Sequence, residues 1–262
     1  MSELDGQVGV VTGGETGIGL GIVEALTAAG MHVVIGGLLA DEGALAVAKV
    51  SKTGGKVEFK PTDVRHLAEV NDLVDSTVAR HGRLDVMVNN AAIFDGFASC
   101  LDTSDALWES VININLRGCF YGCRAALRHM VPKEKGKIIN VASVGGLRGA
   151  ADGTSYTASK FAIVGMTRQI ACDYAEKGIS ANAICPGVIQ TNIRANSMKI
   201  LGPDAPPMRG VGADPDGFKR LVPERRRGQP GEIGNLAVYL ASDKSSYIQG
   251  QAIAIDGGWT AT

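Results

Sequence analysis

No stretch of the sequence reads as a membrane span or a secretory leader, and both are expected to be absent. No apolar run approaches the roughly 20 residues needed to cross a bilayer. The opening MSELDGQVGVVTGG has neither the basic nor the apolar region of a signal peptide. An excess of charge of one sign is missing too: 26 Lys and Arg stand against 27 Asp and Glu. That balance argues against a general nucleic-acid or membrane surface. The one basic run, Arg225-Arg226-Arg227, is read as a solvated turn or salt-bridge donor. Cysteine is sparse and odd in number, five in all, which excludes a full disulfide framework. Cys119 and Cys123 lie four apart on a helical stretch without the His or Cys partners of a zinc site, so no metal is expected. All five are read as reduced thiols, mostly buried, and a cytoplasmic location is the default. Internal repeats and low-complexity segments are also lacking.

What is present is an alternation. Short β-branched runs at 7–13, 32–36, 56–61, 84–91, 136–143, 179–187 and 251–258 read as seven strands. Between them run helical stretches; in 66–81, Leu67, Val70, Leu73, Val74 and Val78 mark one buried face. Continuous apolar strands separated by helices imply a parallel sheet covered on both sides. Right-handed crossovers then give an α/β fold of Rossmann type, a doubly wound seven-stranded parallel sheet with helices on both faces. Length and pattern fit one domain over 1–262. The exception is the segment at about 190–230, rich in proline and glycine, which is expected to be an irregular substrate lid.

The loop VVTGGETGIGLGI joins the first strand to the first helix, with Gly13, Gly17 and Gly19 at its turns. Residues without Cβ let backbone N–H groups approach a pyrophosphate at the positive end of a helix. The spacing differs from G-x-G-x-x-G. Beyond the second strand an acid commonly binds the adenosine ribose, but here stand Gly36, Gly37 and Leu38. Glu15, inside the loop, would repel a 2′-phosphate and accept a hydrogen bond from the ribose, or else point to water. The balance leans to NAD(H), with NADP(H) open.

Tyr156 and Lys160 lie one helical turn apart on the same face, after a small-residue loop that begins at Ser143. A free tyrosine titrates at about pH 10, so a phenolate at neutral pH needs about 4 kcal/mol of stabilisation. A nearby ammonium lowers the pKa, as would an oxidised nicotinamide. Ser143, at the end of the fifth strand, is placed to donate to a substrate oxygen while Tyr156 exchanges the proton.

TGGETGIG (12–19), NNAA (89–92), Asn115, Ser143, YTASK (156–160) and PGVIQT (186–191), in this order and spacing, resemble the short-chain dehydrogenase/reductase family. The likeness runs through the terminal IDGGWTA. It implies a reversible NAD(P)-dependent ketone reductase or alcohol dehydrogenase. In it Tyr156 is the general acid/base, Lys160 lowers its pKa and binds the nicotinamide ribose, and Ser143 orients the substrate. Asn115 would hold a water linking Lys160 to solvent. Asp63 would contact adenine, Asn90 would fix the central strands, and Thr191 would bind the carboxamide. Gly13, Glu15, Gly17, Ile18, Gly19, Gly37, Val64, Ala91, Pro186, Gly187 and Val188 complete the implied cofactor set. The departure from the family is at Gly37 and Leu38, where an Asp or Arg usually shows the cofactor choice.

The substrate pocket is expected to include Phe94, Ser143, Gly145, Leu147, Tyr156 and Val188, with Phe97 nearby, suited to a carbonyl or secondary alcohol on a hydrophobic or cyclic skeleton. Arg148 is read as a solvent-facing arginine, with pairing to an anionic substrate as the alternative. His32, His66, His81 and His129 have no evident catalytic partners and are read as surface or satisfied residues. A non-catalytic nucleotide sensor of the same fold is the competing reading. A methyltransferase leaves YTASK unexplained. The family resemblance implies a homotetramer or homodimer, through the helices around 105–130 and 155–177 or the C-terminal tail.

Overall fold

The computed structural model describes residues 2–214 and 216–261. Seven parallel strands form one sheet: β1 (Val8–Thr12), β2 (His32–Gly37), β3 (Val57–Pro61), β4 (Val86–Asn89), β5 (Gly136–Val141), β6 (Ile179–Pro186) and β7 (Ala252–Ile255). Their spatial order is β3-β2-β1-β4-β5-β6-β7, so the chain winds outward from β1 in both directions. The two halves separate between β1 and β4, and a crevice opens there at the carboxyl ends of the strands.

Alternation along each strand feeds two cores. Val10, Val34, Met87 and Ile138 face one side, beneath α3 (Leu67–His81), α5 (Gly118–Met130) and α6 (Thr154–Tyr174). Val11, Ile35, Val88, Ile139 and Ile184 face the other, beneath α1 (Gly17–Ala28), α2 (Ala40–Lys52) and α8 (Pro230–Ala241). Burial on both faces is why these strands read as unbroken apolar runs. The helix expected over 66–81 is α3; it buries Val70, Leu73 and Val74 and ends at Gly82, whose φ of 74° is left-handed. Backbone touches backbone where α1 meets α8: a Cβ at Gly234 would run into the carbonyl of Gly21, and one at Gly21 would lie 2.5 Å from the carbonyl carbon of Pro230.

Two local features depart from the sequence pattern. The long helix through 105–130 is three pieces, α4 (Asp105–Val111), a π-helical segment (Ile112–Arg117) and α5. A π segment inserts residues into the helical ladder and re-aims their side chains. The 190–230 segment is less irregular than expected. It carries α7 (Ile193–Leu201), short 3₁₀ turns at Gly202–Asp204 and Gly217–Arg220, and an isolated parallel bridge from Ile189 to Gly228. α7 is only nine residues long and is followed at once by Pro203, Pro206 and Pro207, which hide it in the composition. Among the described residues no helix is long and apolar enough to cross a membrane.

Candidate active site

One cleft runs along the carboxyl ends of β1 to β6. All sixteen residues of the expected cofactor set line it. The glycine loop is held open by contact. A Cβ at Gly13 would lie 2.9 Å from the Cα of Ala91, and one at Gly19 would overlap the carbonyl of Gly13. Asn90 binds the loop to β4: its Nδ2 donates to the carbonyls of Thr12 (3.0 Å) and Gly13 (2.9 Å), while its backbone N–H donates to Thr12 Oγ1 (3.0 Å). These bonds tie the central strands together, as the resemblance implies for Asn90.

Glu15 does not point to water. It is 7% exposed and its carboxylate fills the space that a side chain on Gly37 would need. Oε1 accepts a long 3.4 Å bond from Leu39 N–H, and Oε2 is buried without a partner. Burial pushes the carboxyl above its ordinary pKa, against opposing backbone hydrogen bonds. Glu15 thus stands where an acid at the end of β2 would stand, and an orphaned acceptor beside the glycine loop suits the hydroxyls of a ribose. Asp63 is partly committed: both its oxygens accept from Arg65, at 2.6 to 3.0 Å. The donors and shape of the cleft fit a nicotinamide dinucleotide.

At the other end, α6 carries Tyr156 and Lys160 into the cleft. Its N-cap is Gly153, which has no side chain, and the carboxylate of Asp95 takes over the capping. Fully buried, Asp95 accepts from Tyr156 N–H (2.9 Å), Ser155 Oγ (3.0 Å) and Phe97 N–H (3.1 Å). An anion at a helix N-terminus is favoured by the unpaired N–H groups there, so the loop after β4 fixes the first turn of α6, which carries Tyr156. Asn115, re-aimed by the π segment, clips the same loop. It accepts from Ile93 N–H (2.9 Å), donates to the Ile93 carbonyl (3.0 Å) and reaches Ser159 Oγ at 3.3 Å. Its side chain is spent on these contacts and does not line the cleft.

Lys160, 2% exposed, donates to the Val141 carbonyl at 2.9 Å, with its ammonium 5.2 Å from the Tyr156 ring centre. Burial pulls its pKa down to about 8, against the opposing charges of Cys119, Asp152 and Cys185. The protein alone does not lower the pKa of Tyr156 as the Tyr-Lys spacing suggested. Burial, followed by the charges of Asp152 and Asp95, raises it, opposed by hydrogen bonding to Ser143 and by Arg194. Ser143 Oγ accepts from Gly145 N–H (3.0 Å) and donates its proton to Asp152 Oδ2 (3.2 Å). Asp152 is itself pushed up to about 6, chiefly by burial.

Phe94, Ser143, Tyr156 and Val188 line the cleft as expected; Leu147 and Gly145 do not. Leu147 packs on the core beneath α6, and Gly145 lies against Asp152 with no room for a Cβ. Phe97 turns to Gly210, at a φ of 65°. Arg148 is exposed and donates to the Trp259 carbonyl at 3.4 Å, as its solvent-facing reading requires. The pocket's charged residues, Asp152 and Arg194, were missed. Arg194, on the first turn of α7, lies 5.1 Å from the ring centre of Phe94. Neither has a motif to betray it.

A family model described as enoyl-(acyl carrier protein) reductase matches residues 12–260. The 3β-hydroxysteroid dehydrogenase 2 of Eggerthella lenta is 40% identical over 98% of this chain and 96% of its own. The chain belongs to the short-chain dehydrogenase/reductase family. Levodione reductase, a solved structure of this family, superimposes with a TM-score of 0.89 at 34% identity, covering 99% of both chains. A Beutenbergia cavernae chain described as an NAD(P)-dependent gluconate 5-dehydrogenase, with NADP bound at low occupancy, has a TM-score of 0.87 at 31% identity over 99% of each. The short-chain dehydrogenase/reductase relatives are named as enzymes of CH–OH and C=O groups, and the chain is an oxidoreductase of that kind.

Proposed function

We propose that this protein is an NAD(H)-dependent dehydrogenase/reductase for a secondary alcohol or ketone on an apolar cyclic skeleton, with 3-hydroxy- and 3-oxosteroids as the first class to test. The observation that carries it is one cleft joining an orphaned carboxylate at the adenosine end to Ser143, Tyr156 and Lys160 at the reacting end. Phe94, Val144, Val188 and Trp259 supply an apolar wall, and the hydroxysteroid dehydrogenase relative supports the substrate class. The sensor reading is not favoured, because a sensor has no need of an acid/base relay.

A bound nicotinamide dinucleotide supplies the hydride and, when oxidised, a positive charge beside the phenol. This chain's residues do the rest. Ser143 and Tyr156 hold the substrate oxygen from two sides, and Tyr156 gives or takes its proton. Lys160 would hold the ribose, and Asn115 keeps the loop after β4 and helix α6 in register. Against a panel of a 3-oxosteroid, a 3-oxoacyl thioester and a short 3-oxo acid, kcat/KM is expected to be at least about tenfold higher for the steroid with NADH, the loss of apolar contact being worth at least about 1.4 kcal/mol. Preference for the thioester would overturn the substrate class while leaving the chemistry in place.

Asp152 adds a pH dependence. Above about pH 6 its carboxylate accepts the Ser143 hydroxyl's hydrogen bond and its charge makes the Tyr156 phenol a weaker acid. Protonation frees the serine donor and strengthens the phenol as an acid. The rate of carbonyl reduction is therefore expected to rise as pH falls through about 6. Asp152→Asn removes that step from the kcat/KM profile; a profile unchanged by the substitution would take Asp152 out of the mechanism.

A further inference from the structure

At the end of the strands opposite the cleft, three side chains meet that the sequence shows on separate elements. β2 and β3 pair Val34 with Glu58, and alternation puts His32 on the same face as Val34. The last residue of α3, His81, covers that face. Glu58 Oε1 lies 3.0 Å from His32 Nε2 and 3.1 Å from His81 Nε2. The two imidazole centres are 4.3 Å apart and the rings are tilted by 54°. Yet both Nε2 atoms, shielded from water, complete no hydrogen bond. The other two histidines do find partners, His66 with Glu69 at 2.7 Å and His129 with Asp75 at 2.6 Å. The reading of the histidines as surface or satisfied residues fits that pair, whereas His32 and His81 are paired with Glu58 without a completed hydrogen bond.

We propose that His32, Glu58 and His81 form a binding site for a divalent cation of the zinc type. Two imidazole nitrogens and one carboxylate oxygen are the donors that Zn²⁺ and its neighbours prefer, whereas Mg²⁺ and Ca²⁺ call for oxygen alone. With bonds of about 2.0–2.1 Å, ligands at the corners of a tetrahedron lie about 3.4 Å apart. Two of the separations here are slightly shorter, and all three ligand atoms lie within 4.8 Å of one another, so small side-chain rotations bring them to that spacing. Among the described residues this is the only such trio. The Glu58 side chain is held from behind, its other oxygen being paired with Arg80, as ligating carboxylates commonly are. The three side chains keep 15% to 27% of their surface exposed, so the trio lies at the margin of the fold rather than in its core. Bound there, the ion ties β2, β3 and α3 together. It is a structural tie, at the opposite end of the strands from the reacting groups.

The test is a Co²⁺ titration of tag-free, chelator-stripped protein, followed by its visible absorption, with thermal melting in Zn²⁺ and in Mg²⁺. The expected result is a saturable band at one Co²⁺ per chain, displaced by Zn²⁺, and a Tm raised by Zn²⁺ and not by Mg²⁺. His81→Gln should weaken binding at least tenfold and leave steady-state turnover unchanged, which also reports that the variant is folded; Glu58→Gln provides a second variant. Absence of a saturable band overturns the proposal. So does a band whose affinity is the same in both variants, which places the metal elsewhere.

Discussion

Tyr156→Phe is expected to lower kcat by about 10²- to 10⁴-fold, the range that a positioned general acid/base contributes, with the dinucleotide Kd changed less than about threefold. The substitution is unusually clean. Phenylalanine keeps the edge-on contact with Phe94, at 5.4 Å between ring centres, and the ring beneath the Lys160 ammonium. It removes only the hydroxyl proposed to exchange the substrate proton. The capping of α6 by Asp95 uses the backbone N–H of residue 156 and so survives. Loss of rate with cofactor fluorescence and melting preserved assigns the proton to Tyr156. Undiminished turnover in the purified variant would remove Tyr156 from the mechanism and with it the proposed chemistry.

Glu15→Gln should cut the proposed preference for NADH over NADPH by about ten- to a hundredfold, through a higher KM for NADH and a lower one for NADPH. The magnitude follows from replacing a hydrogen bond to a charged acceptor, worth about 1.5–3 kcal/mol, with a neutral one. Glutamine retains the volume packed over Gly37, so the glycine loop has no cavity to collapse into. The sign follows from what surrounds the ribose end. Glu15 Oε2 is an acceptor awaiting donors, and the lining cation Arg65 is already held by Asp63. Ribose hydroxyls gain from that arrangement, and a phosphate does not. An unchanged ratio of kcat/KM values would show that the choice is made elsewhere.

The fold could be read because the inner strands are buried on both faces: VGVVT and ISANAICP announce themselves as unbroken runs, while the edge strands β3 and β7 stay half-buried. The loops that follow strands fall at the cleft by topology alone, and Gly13, Asn90, Ser143 and Pro186 all line it. Other features depend on approach in space. Asp152 sits in a stretch of small residues and becomes significant only because the 3₁₀ turn after β5 brings Ser143 against it. Arg194 lies on a nine-residue helix masked by later prolines. The acid sought at the end of β2 was absent from that strand, and Glu15 supplies it from a different loop. His32 and His81 looked unremarkable in the chain because Glu58, which draws them together, is remote from both in sequence.

The close backbone packing of α1 on α8 ties the first helix of the chain to one of the last. The glycine loop opens α1, yet the surface that backs α1 is not synthesised until residue 241. Contacts of such sequence separation form late, since a long segment has to be closed before they give any return. On the ribosome, β1 to β5 and their local crossovers can assemble while α1 still lacks its partner. The helix that carries the glycine loop thus rests on the sheet alone at first, and gains its last packing partner only when translation is almost complete.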